Sequence, residues 1–139
     1  MSFLLDTNVV SEALRQRPEA RVLDWIATQN VEELYLSVLT VGELVKGIVQ
    51  LGDTARATQY REWLETVLKA QYRGRILEVD ERVAEFWGTL VGQALRVGRP
   101  LPGLDSYLAA TAATHNLTLV TRNTKDFEGL PLKTLNPWI

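Results

Sequence analysis

Phe3-Leu4-Leu5-Asp6-Thr7-Asn8-Val9-Val10-Ser11 runs from an apolar triplet, through one acid, into residues with helical spacing. The triplet reads as a short buried strand, and Val9, Val10, Ala13 and Leu14 give a helix from Thr7 to Arg15 its apolar face. Asp6 stands at the junction. In an open parallel α/β sheet the crevice outside the carboxyl ends of the strands binds ligands, so acids at strand-to-helix turns converge there even when distant in sequence.

The same alternation continues outward. Arg17-Pro18 ends the first helix, and Pro18 opens the next, through Val22, Leu23 and Ile26 towards Asn30. Leu34-Tyr35-Leu36-Ser37-Val38 is a second strand. Thr40 to Leu51 is helical, with Val41, Leu44, Val45 and Ile48 on one face, and Gly52-Asp53 closes it and caps its successor. That long helix carries Tyr60, Trp63, Leu64, Val67 and Leu68 at the spacing of a core-facing stripe. Ile76-Leu77-Glu78-Val79 is a third strand, and Val83, Phe86, Trp87 and Leu90 mark a helix from Glu81 that Gly98-Arg99-Pro100 breaks. Asp105 opens an alanine-rich helix, Leu117 to Thr121 is a fourth strand, and a short fifth lies near Leu132 to Leu135. Strands alternating with helices predict a three-layer α/β/α sandwich with a mainly parallel sheet of about five strands.

With 139 residues and 46% hydrophobic content, the chain is expected to form one domain, residues 1–139. A formal charge of -2 argues against a basic coat for bulk capture of nucleic acid, although a local basic rim is compatible with it. The absence of cysteine excludes disulfides and thiolate metal sites. The apolar start halts at Asp6, too early for a signal peptide, and no stretch approaches the ~18 apolar residues of a membrane span. A cytoplasmic protein is the expectation.

Four carboxylates share the strand-to-helix or loop-to-helix address: Asp6, Glu43, Asp105 and Asp126. Each has a local explanation. Asp and Glu favour helix N-termini for capping and dipole reasons alone, and Asp53 and Asp80 occupy the same setting. Thr40-Val41-Gly42-Glu43 matches a capping box, Asp6 and Asp105 fit N-caps, and Asp126 fits a turn after a strand.

The surrounding motifs carry more than the positions do. Leu4-Leu5-Asp6-Thr7-Asn8-Val9-Val10-Ser11-Glu12, Thr40-Val41-Gly42-Glu43-Leu44 with Lys46-Gly47-Ile48, Leu101-Pro102-Gly103-Leu104-Asp105-Ser106-Tyr107-Leu108-Ala109-Ala110, and Leu119-Val120-Thr121-Arg122-Asn123-Thr124-Lys125-Asp126-Phe127 resemble, in order, the four motifs of a PIN domain. The likeness spans nearly the whole chain and is closest to the bacterial toxin branch, the VapC or FitB type, encoded beside an antitoxin. The resemblance implies an endoribonuclease that favours single strands and leaves 5′-phosphate ends. It also implies a homodimer and an antitoxin partner that covers the acidic pocket. Carried over by residue, it assigns Asp6, Glu43, Asp105 and Asp126 as catalytic groups and ligands of Mg2+ or Mn2+, with Asp6 and Asp105 the most direct.

An oxygen-only donor set without histidine or cysteine independently suits a hard divalent ion. Two carboxylates ~4 Å apart repel by ~4 kcal/mol at an effective dielectric of 20, and a cation relieves this. Thr7, Asn8, Thr121 and Asn123 flank the acids and fit either phosphate contact or turn and cap bonding. Arg15, Lys46, Arg99 and Arg122 are candidate RNA phosphate contacts, and His115 reads as a helix-end residue. Two rival readings are a phosphoacceptor receiver, with Asp6, Asp80 and Thr121 in its key positions, and an interaction module of the same fold without catalysis. A milder alternative is an RNA-processing nuclease without a toxin role.

Overall fold

The computed structural model describes residues 1–139. Five parallel strands, β1 (Phe3–Leu5), β2 (Leu34–Ser37), β3 (Ile76–Leu77), β4 (Thr118–Val120) and β5 (Thr134–Leu135), form one sheet in the order β3-β2-β1-β4-β5. The chain starts at the centre, moves outward to one edge, then returns to build the other side. Strand order therefore reverses between β1 and β4, which is where an α/β sheet opens its ligand crevice.

Alternation along the strands builds the two outer layers. Phe3 and Leu5 on β1, Leu34 and Leu36 on β2 and Val120 on β4 point into one core with Val9, Val22, Leu44, Ile48, Leu64 and Leu68. That face is covered by α1 (Thr7–Ser11), α2 (Ala20–Thr28), α3 (Val38–Gln50), α4 (Ala55–Trp63) and a short α5 (Lys69–Gln71). Leu4 and Leu119 point the other way, into a core with Val83, Leu90, Leu108, Leu117 and Phe127. There α6 (Glu81–Arg96) and α7 (Gly103–Thr114) pack against each other. Buried Ala109, Ala110 and Ala112 let α7 lie close to the sheet. The tryptophans lie at the edges of these cores: Trp25 meets Phe3 edge-on, with ring centroids 5.0 Å apart, and Trp63 is half-buried against the first core.

Element types match the sequence reading, while several ends and caps differ. The first helix is α-helical only to Ser11 and tightens to a 3-10 turn at Glu12–Leu14. The second helix opens at Ala20, with Glu19 as its cap, and not at Pro18. The cap of α4 is Thr54, whose Oγ1 accepts from the Ala57 amide at 3.1 Å, so Asp53 does not cap it. The long helix beyond is interrupted by a π segment at Leu64–Leu68, where Leu64 and Leu68 are both buried. Asp80 caps α6 as expected, accepting from Val83 at 3.0 Å. His115 is the residue that terminates α7. No helix is long and apolar enough to cross a membrane.

Packing predicts a contrast between two leucines. Leu119 is fully buried in β4, beside the central strand, so Leu119→Ala should cost about 2–5 kcal/mol in chemical denaturation. Leu95 is 62% exposed on α6, and Leu95→Ala should stay within about 0.5 kcal/mol.

Candidate active site

Asp6 is held by the two strands that meet at the reversal. Its amide donates to the Val120 carbonyl at 3.0 Å, carrying the β1–β4 ladder one step further. Its carbonyl accepts from Val9 and Val10, which starts α1. The residue is only 7% exposed, and its two carboxylate oxygens are separately occupied. Oδ1 accepts from the Thr7 amide at 2.7 Å, and Oδ2 accepts from the Thr121 hydroxyl at 2.9 Å. Thr121 Oγ1 in turn accepts from the Asn123 amide at 3.2 Å. Each carboxylate oxygen keeps lone-pair capacity for a further partner.

Glu43 arrives from α3. The capping box expected at Thr40-Val41-Gly42-Glu43 does not form, because α3 begins at Val38 and Ser37 caps it, accepting from Leu39 at 3.0 Å. Thr40 is instead a fully buried helical residue whose hydroxyl lies 3.5 Å from that of Thr7. Glu43 is left half-buried and free of a capping bond.

Asp105 does not cap its helix either. The helix α7 starts two residues earlier, at Gly103, and Asp105 projects from its first turn. That turn is fixed by the buried Ser106, which accepts from Trp87 Nε1 at 2.8 Å and donates to the Gly103 carbonyl. Trp87 also stacks on Tyr107, with centroids 4.8 Å apart. These supports were not apparent in the sequence, where the only signal was a hydroxyl next to the acid. Asp126 lies exposed in the 3-10 turn Thr124–Phe127, anchored by buried Phe127.

Electrostatics ties the four acids into one site. Burial pushes the Asp105 carboxyl above its ordinary value, and the charges of Asp6, Asp126 and Glu43 push it further in the same direction. Burial also raises Asp6, against the lowering effect of the Thr121 and Thr7 hydrogen bonds, and the charge of Glu43 adds to the rise. Asp80 acts on neither. It lies beyond the edge strand β3 with its carboxylate committed to capping, which removes the receiver-like arrangement of Asp6, Asp80 and Thr121.

Asp105 carries the charge of the other three acids and Asp6 that of Glu43, but no three acids stand close enough together to hold a metal ion between them. The donor chemistry, carboxylate oxygens without histidine or thiolate, suits a hard ion such as Mg2+, which needs only one or two protein carboxylates and retains several waters. Thr7 and Thr121 support Asp6, whereas exposed Asn8 and Asn123 make no side-chain bond to an acid. Among the basic candidates, Arg15 is paired with buried Glu12 at 3.4 Å and Arg122 lies over the Trp138 ring at 5.3 Å. Lys46 is exposed on α3.

The raised carboxyls imply a pH signature. An acid whose value is higher in the folded state binds more protons there, so its contribution to stability falls as pH rises from about the ordinary 3.8 through the raised value. Above that, the penalty is complete. In metal-free buffer at pH 7, Asp105→Asn should therefore be at least as stable as wild type, with the difference shrinking as pH falls towards 4. Denaturation across that range measures it, and a variant that is less stable at pH 7 would contradict the electrostatic reading.

Residues 3–131 match the family model described as PIN domain. The chain is 39% identical over 135 residues to Toxin FitB of Neisseria gonorrhoeae, covering 97% of each chain. It is 38% identical over 135 residues to VapC ribonuclease Y4jK of Sinorhizobium fredii, covering 97% of this chain and 96% of the relative. The crystal structure of FitAcB from Neisseria gonorrhoeae superposes with a TM-score of 0.94 at 39% identity, covering 98% of each chain. On this match over almost its full length, the chain belongs to the PIN domain family.

Proposed function

We propose that this protein is a metal-dependent endoribonuclease, hydrolysing RNA phosphodiester bonds as the toxin of a toxin–antitoxin pair. The observation that carries this reading is that Asp105 lies within the field of Asp6, Asp126 and Glu43. An oxygen-only site of this kind serves phosphodiester chemistry, and relatives bearing the names ribonuclease and toxin support that choice. Asp6 and Asp105 would hold Mg2+ or Mn2+, and Glu43 and Asp126 would complete the site. When bound, the ion supplies charge neutralisation at the phosphate and lowers the pKa of a water.

The chain's own groups do the positioning. Thr121 and the Thr7 amide fix the Asp6 carboxylate, so little reorganisation remains when substrate arrives. The Ser106 and Trp87 contacts fix the turn that presents Asp105. Glu43 and Asp126, less buried than Asp6, take the role of orienting the attacking water and accepting its proton. Asn8 and Asn123, exposed beside the acids, would contact the phosphate. The partners are RNA, a cognate antitoxin and a second copy of the chain, and Val49, Val67, Leu95 and Val97 offer exposed apolar surface for protein contacts.

Purified protein should cleave single-stranded RNA with Mg2+ or Mn2+ and stop in chelator. Asp6→Asn should slow cleavage by about 10²–10³-fold, the scale of losing one charge-organising group at a reacting centre. Expression should arrest growth and co-expression of the neighbouring antitoxin should relieve it. Cleavage without growth arrest would favour an RNA-processing enzyme, and metal-independent cleavage unaffected by Asp6→Asn would refute the assignment.

A further inference from the structure

Helix α6 ends in a way that aims one cation at the edge of the acidic site. Gly98 takes a φ of 70°, its amide donates to the Leu95 carbonyl at 3.2 Å, and the Arg99 amide donates to the Ala94 carbonyl at 2.8 Å. This is a Schellman closure, and it pins Arg99 at the start of a loop stiffened by Pro100 and Pro102. Across from it, the Glu128 carbonyl accepts from Arg99 Nη2 at 3.4 Å, and Gly129 turns the chain with a φ of 83°.

Between these two loops lies a cavity of about 480 Å³, and its lining includes Arg99, Lys125 and Asp126. Of the four acids, Asp126 alone reaches it, which puts the cavity beside the acid site. Neither cation has a carboxylate partner: the ion pairs of the molecule are Met1 amino to Glu33, Arg15 to Glu12, and Lys69 to Glu65. Leu101 and Leu130 add apolar wall to the same cavity.

We propose that this cavity is an RNA subsite. It holds the nucleotide next to the scissile bond, with its phosphate on Arg99 and Lys125 and its sugar and base against Leu101 and Leu130. The proposal rests on the ribonuclease reading and deepens it. The volume lies within the range of small-ligand sites and gives room for one nucleotide splayed out of a single strand. The lining carries two carboxylates, Asp126 and Glu128, against its two cations. Asp126 belongs to the acid site, which leaves Glu128 as the cavity's own carboxylate against two cations, a balance that favours phosphate. No aromatic ring lines the cavity, so the nucleotide is held by charge and apolar contact rather than stacking, and base identity matters little there.

The test is steady-state cleavage of a single-stranded RNA oligonucleotide with Mn2+, at salt from about 50 to 200 mM. Wild type is compared with Arg99→Ala, Lys125→Ala, the double variant, Arg99→Lys, and Arg73→Ala as an exposed cation at the opposite, amino-terminal end of the strands. The double variant should raise KM about tenfold or more with a much smaller change in kcat. Its log(kcat/KM) should fall less steeply with log salt, by about 0.7 for each phosphate that the variant leaves without a cation. Arg99→Lys should keep most of the salt slope, and Arg73→Ala should match wild type. Metal-induced thermal stabilisation, kept in the double variant, shows that the acid site is intact. A double variant with wild-type KM and salt slope overturns the subsite while leaving the ribonuclease reading in place. The same result with an altered mass on gel filtration also overturns it and assigns the cavity to a second copy of the chain. A wild-type protein that cleaves no RNA removes both.

Discussion

The bond from Thr121 Oγ1 to Asp6 Oδ2 joins the two strands between which the sheet reverses, and the site is arranged around it. Together with the Asp6 amide on the Val120 carbonyl, it fixes an acid at the mouth of the crevice by contacts from opposite ends of the sequence. The acid is too buried to be comfortable when charged and too well bonded to be displaced. Every other acid comes to this point on an element whose position depends on the same central pairing. The helix α3 follows β2, the 3-10 turn of Asp126 follows β4, and α7 runs back to enter β4.

The arrangement concentrates like charge where the core could otherwise have been apolar. Burial and mutual repulsion both oppose ionisation of Asp105, so the metal-free fold carries an electrostatic load there. Two well-packed cores on either side of the sheet tolerate that load. On the proposed function, a divalent ion would turn the same repulsion into affinity and link folding, metal and catalysis through one set of side chains.

Much of this was legible in the sequence. Short apolar runs gave the strands because each central strand is buried on both faces, and Leu4 and Leu5 simply face different cores. The motifs around Asp6, Glu43, Asp105 and Asp126 marked the family. Caps were legible at Asp6 and Asp80 and missed at α3, α4 and α7, since a cap depends on a boundary known to a single residue. Ser37, at the last position of β2, takes the cap of α3 and leaves Thr40 for the core, and Gly103 starts α7 before Asp105 is reached. The π segment at Leu64–Leu68 was hidden because its apolar spacing reads as ordinary helix. The Trp87–Ser106 contact was hidden because it joins two helices through side chains that look like core and surface in isolation.

Asp6 caps α1 just as Asp80 caps α6, so capping does not mark the proposed metal-binding acids, and position in the fold is what would set them apart. Titration of Mn2+ into the protein, followed by electron paramagnetic resonance, tests it most directly. Asp6→Asn and Asp105→Asn should each weaken binding by about tenfold or more, while Asp53→Asn and Asp80→Asn should bind as wild type, because Asp53 makes no cap and asparagine caps α6 as well as aspartate does. Equal loss in Asp80→Asn, or undiminished binding in Asp6→Asn, would contradict the account.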